Sequence, residues 1–196
     1  DVTIDIGGTD ATATKASSIM GFQATSDALN VDGITYTFPL GGATVVVGDT
    51  TDISSTFTGA CAYSAFTDYM GNCGTGNSVG VGGKGVTASI GYAFDSGFSL
   101  AGGVSSQEKE IMTKEGIDLY GIEAAYTADT YGVAVAYVSK DNATSSETTY
   151  WGVNGFYDFD LASISVVVVT EVTSGVDESG YFVGLSFPEV GPGSVN

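Results

Sequence analysis

From residue 85 onward, apolar and polar positions alternate with a period of two. "GVTASIGYAF" sets Val86, Ala88, Ile90, Tyr92 and Phe94 on one face, with Thr87, Ser89 and Gly91 on the other. "FSLAGGVSS" repeats the pattern with Phe98, Leu100 and Val104 against Ser99, Ala101 and Ser105. "IDLYGIEAAYTAD", "YGVAVAYVSK", "TYWGVNGFYDF", "ASISVVVVTEV" and "GYFVGLSF" continue it. Strand side chains point to opposite faces in turn, so this alternation predicts a run of consecutive β-strands. Helical spacing is never sustained. "EKEIMTKEGID" has the composition for one short helical turn.

The first 84 residues are less regular. "VTIDI", "SSIMGFQAT", "ITYTFPL" and "ATVVVGD" read as strands. Pro39–Gly42 reads as a hairpin turn, because proline cannot donate to a ladder and glycine supplies positive φ. Residues 48–84 form a long polar, glycine-rich loop that in a barrel either folds inward to narrow the channel or stands outside. Further along, short turns (Asp95–Gly97, Ala128–Thr130, Phe159–Leu161) exchange with longer polar connections (Gln107–Gly116, Asp141–Thr148, Thr173–Gly180). Up-and-down barrels of the outer membrane show that asymmetry between their two ends.

The character of the two faces separates a membrane barrel from a soluble one. The second face is mostly Gly, Ala, Ser and Thr, with scattered carboxylates. The apolar face carries Phe94, Phe98, Tyr126, Tyr131, Tyr137, Tyr157 and Phe187, mostly near strand ends. Aromatic girdles at both interfaces and strands of about nine to eleven residues suit a tilted bilayer crossing. The expected fold is therefore all-β, an antiparallel up-and-down transmembrane β-barrel. About eight to eleven strands are visible, fewer than the roughly 16 that leave an aqueous channel, so residues 1–196 read as part of one larger barrel domain. The "FPEVGPG" stretch reads as an interior hairpin turn, with the next strand expected just past Asn196.

Composition narrows the function. The chain has 196 residues, 29 Gly, no His and a net charge of −18, from 23 acids against 5 basic residues, all of them lysine. Nucleic-acid binding is excluded as an expectation, because phosphate neutralisation needs clustered Lys and Arg. Without His the commonest general base is missing, and without Arg so is bidentate anion recognition, so no enzyme is expected. "GVGGKG" lacks the Ser/Thr and the following helix of a phosphate loop. "YDFD" offers half of a Ca²⁺ site at most, and no metal or cofactor is expected. An acidic lumen raises local cation concentration and opposes anions. Glu123, Asp158 and Glu171, with Asp118 and Asp160 at strand ends, are the candidate pore-lining residues. Cys61 and Cys73 lie twelve positions apart in a loop-like stretch and read as a local disulfide, implying an oxidising compartment.

Three tokens carry a family resemblance: "YTFPLG", hairpins of the kind "GYAF…GFSL", and "GLSFPEVGPG". With them the chain resembles the cyanobacterial outer-membrane porins of the iron-uptake or Som type, related to the carbohydrate-selective porins. The resemblance is strongest over about residues 85–193. It implies a large antiparallel barrel in the outer membrane, in contact with its lipid and assembled as a homotrimer, that passes ions and small solutes by passive diffusion. The alternative from a different class is a secreted or cell-surface structural β-protein, a coat or fibre subunit built from the same glycine-rich strands.

Overall fold

A computed structural model of the chain describes residues 2–10, 25–49, 51–61, 72–76, 79, 81, 85–107, 116–142, 146–190 and 193–195. The strands are β1 (Val2–Asp10), β2 (Thr25–Leu40), β3 (Ala43–Asp49), β4 (Gly85–Ala93), β5 (Phe98–Gln107) and β6 (Asp118–Thr127). They continue with β7 (Tyr131–Asn142), β8 (Ser146–Phe159), β9 (Ala162–Thr173), β10 (Val176–Val190) and a short β11 (Gly193–Val195). Spatial order follows chain order, and every neighbouring pair is antiparallel. The alternation favours this arrangement: each strand buries one set of side chains and pairs with its neighbour in sequence.

The expected barrel is not closed. Ten strands form one open up-and-down sheet, with β11 folded back on β10 through Phe187↔Val195 and Val190↔Gly193. Among the described residues β1 pairs only with β2, and no ladder joins it to β10. The "FPEVGPG" stretch does separate two antiparallel strands, and the second begins at Gly193 rather than beyond Asn196. "SSIMGFQAT" up to residue 24, most of "EKEIMTKEG" and Lys84 of "GVGGKG" fall outside the described residues.

The turn at 173–180 differs from expectation. The ladder between β9 and β10 runs unbroken from Val176↔Thr173, leaving only Ser174 and Gly175 in the turn. Both have positive φ (52° and 81°), the two-residue geometry whose twist matches the flanking strands. The chain closes this hairpin with Ser-Gly rather than with an eight-residue loop.

Candidate functional site

Cross-strand pairing places the two sets of side chains without ambiguity. Rows such as Leu100↔Ala124↔Val135↔Val153↔Val168↔Tyr181 lie on one face. Rows such as Ala101↔Glu123↔Ala136↔Gly152↔Val169 lie on the other. Burial runs opposite to that of a water-soluble sheet. Thr87, Ser89, Ser105, Asn154 and Ser165 are buried, whereas Ile90, Leu100, Ile122, Val153, Val183 and Leu185 are exposed.

The bare apolar face carries two bands of rings. At the short-turn end Tyr92 packs on Phe94, Phe98 on Tyr126, Tyr126 on Tyr131 and Tyr157 on Phe159, with ring centroids 4.7 to 5.8 Å apart. Six residues further along β6, β7 and β8 lies a second band, Tyr120–Tyr137–Trp151, with centroids 6.4 and 4.7 Å apart. Six residues of strand span about 20 Å. Between the bands the bare face carries no charge among the described residues. Beyond the second band it turns polar, through Asp118, Asp141, Glu147 and Asp177.

The opposite face is covered by the chain's own segment between β3 and β4, here called the strap, described at 51–61, 72–76, 79 and 81. Its backbone lies directly on the small side chains. A Cβ added at Gly91 would meet Thr56 O at 2.9 Å, and one at Gly103 or Gly152 would overlap the carbonyls of Ile53 or Gly74. The many glycines of this face therefore act as a seat, since any side chain there would hold the strap away. Ile53, Val79 and Val81 fill the space above Leu119, Val138 and Tyr150 and form the main apolar core. Ala60 does the same above Ala125 and Ala134. The Tyr150 hydroxyl is hydrogen-bonded to the Gly76 backbone.

Polar anchors fix the strap's course. Ser55 Oγ and Ser89 Oγ are 2.7 Å apart. The Thr58 N–H donates to Glu123 Oε1, and the Ala60 N–H donates to Asn154 Oδ1 at 2.6 Å. Glu123 is only 4% exposed and Asn154 1%. Glu123 Oε2 and Asn154 Nδ2 are buried without a hydrogen-bond partner, an arrangement costing about 1–3 kcal/mol for each neutral group and more for a charge. Such residues hold something in place at the expense of stability.

Of the five carboxylates singled out above, the structure puts Glu123, Asp158 and Glu171 on the small-residue face. They are not brought together. Glu123 sits beneath the strap, Asp158 lies near the short-turn end, and Glu171 pairs across strands with Glu178 at the loop end. Asp118 falls in the other phase, opposite Ser106 and Asp141, and accepts from the Ser106 hydroxyl. Asp160 is an exposed residue of the β8–β9 turn and does not share a strand face with Asp158. Among the described residues no group of carboxylates and cysteines is arranged to hold a metal. Cys61 and Cys73 are both half-buried in the strap and the expected disulfide between them is not formed in the structure; Gly59 lies against Cys73, a Cβ there falling 2.6 Å from the cysteine's own.

The residues that sequence patterning missed are Ile53 of the strap and Asn154, Gly103 and Gly152, which meet the strap. Asn154 carried one available signal, an amide in mid-strand flanked by Val153 and Gly155. No protein-family model matches the chain, and no curated protein matches its sequence significantly.

Proposed function

We propose that the sheet is the wall of an outer-membrane β-barrel porin, with the bare face toward lipid and the strap inside the lumen as a constriction. The supporting observation is the bare face itself. Its exposed large apolar side chains amount to on the order of 2,000 Å², against a few hundred Å² for the largest patch of an ordinary soluble monomer. At about 25 cal/mol per Å² this corresponds to roughly 50 kcal/mol of unrealised burial, several times the net stability of a domain. Such a face requires a cover, and lipid is the cover bounded by aromatic bands and then by polar rows. Strands contributed from beyond the ten-stranded sheet would close the barrel.

The function that follows is passive diffusion of inorganic ions and small solutes past the strap. The resemblance to the cyanobacterial porins points the same way and adds a homotrimer to the reading. A disulfide formed between Cys61 and Cys73 in an oxidising compartment belongs to the same proposal, as a clasp between the strap's two legs. A coat or fibre subunit would also cover an apolar face. It gives no reason for two ring bands about 20 Å apart with charge only beyond them.

The experiment is conductance. Protein purified in detergent and added to a planar bilayer should give discrete, stepwise openings. Protein that stays monodisperse in water without detergent, and leaves the bilayer silent, contradicts the reading.

A further inference from the structure

Two cavities flank the strap on the β2–β5 side of the sheet. The larger, about 590 Å³, is walled by Thr35, Thr37 and Thr44 of the sheet and by Thr51, Asp52 and Ser54 of the strap. The smaller, about 260 Å³, continues past Thr56 and Thr58 to Ser99 beside the β4–β5 turn. Thr44 and Ser55 line both, so the two adjoin at a waist. Together they run from Thr51 and Asp52, just past the loop end of β3, toward the short-turn end of the sheet.

Among the described residues the other side of the strap is filled. There Ile53, Val81, Leu119, Val138 and Tyr150 pack as an apolar core, and Glu123 and Asn154 are sealed under the strap backbone. The carboxylate that sequence patterning put foremost in the lumen wall therefore does not face open space. Hydroxyls dominate the open side. Each hydroxyl can both donate and accept a hydrogen bond, so such a wall can take over part of a solute's hydration shell. One carboxylate, Asp52, stands among them. Lys140, the only lysine among the described residues, sits at the loop end of β7, beyond the filled side.

On the porin reading, on which this step rests, we infer that solute passes along this hydroxyl-lined groove between the strap and β2–β5. Its preferred solutes are small cations, with Asp52 as the residue that sets the charge preference. A single fixed negative charge beside the path favours cations and disfavours anions in its neighbourhood.

The test is the reversal potential, in planar bilayers under a KCl gradient, of the protein together with the strands that close its barrel. Asp52→Asn should lower the cation-to-anion permeability ratio twofold or more, whereas Asp95→Asn, an equal charge change in an exposed turn, should not. Thr44→Phe, at the waist, should lower single-channel conductance severalfold. A ratio unchanged in Asp52→Asn, or a shift produced instead by Glu123→Gln, overturns the route while leaving the porin reading intact. Wild-type protein that forms no channels overturns both. Asp52 is exposed, so its variant separates loss of selectivity from loss of folding.

Discussion

Lysine in place of Val135 should weaken insertion into lipid vesicles, lowering its equilibrium constant by an order of magnitude or more. Val135 lies on the bare face of β7, between Ala124 and Val153 on the neighbouring strands. It sits four residues from Tyr131 in one aromatic band and two from Tyr137 in the other. A lysine on the lipid face of a barrel costs about 2–4 kcal/mol near the bilayer midplane. The equilibrium constant for insertion should therefore fall roughly 30-fold or more, since each 1.4 kcal/mol is a factor of ten. Were the face wetted by water, the same substitution would stay within about 0.5 kcal/mol, as exposed changes generally do. A denaturant titration of the vesicle-inserted protein, compared between variant and wild type, reads the difference.

Valine at Gly103 should lift the strap from its seat. Any Cβ there overlaps the Ile53 carbonyl, and Ile53 is the fully buried centre of the apolar core. Overpacking of this kind costs about 1–3 kcal/mol. If Ile53 leaves its site, the loss approaches the 2–5 kcal/mol of a large-to-small core substitution. Faster proteolysis within the strap and a severalfold rise in single-channel conductance are the expected results. Gly102→Val is the internal control. Its Cβ points to the bare face, with Gly121 O at 3.5 Å and Ile122 Cγ2 at 3.8 Å, so it should leave both readouts near wild type. Equal conductance in the two variants would mean that the strap does not occupy the passage.

Strand content, order and facing were legible because all three are local. The period of two decides which of Tyr120 and Leu119, or Val153 and Asn154, share a face, and consecutive antiparallel pairing needs only short turns. The strap was not legible. Its contacts join residues 51–81 to positions up to 94 apart in the chain, such as Ala60 to Asn154, and they are made by backbone against glycine. A Gly/Ala/Ser/Thr face reads equally well as a wet wall or as a seat for another backbone; only the three-dimensional course of residues 51–61 separates the two. For the same reason Glu123 had its face foreseen but not its cover. Asp118 illustrates a phase that patterning left open, because a strand-end residue carries too few neighbours to fix its side. The Ser174–Gly175 turn was hidden by polar residues that proved to be strand, since Asp177 and Glu178 continue the ladder opposite Val172 and Glu171.

A membrane barrel requires the bare face to meet lipid, and the chain carries one reporter for it. Trp151 is the single tryptophan, 53% exposed at the end of the Tyr120–Tyr137–Trp151 band. In vesicles containing brominated acyl chains its fluorescence should be blue-shifted and strongly quenched, and shielded from aqueous acrylamide. Emission at the wavelength of a water-exposed indole, quenched by acrylamide and indifferent to brominated lipid, would contradict the account.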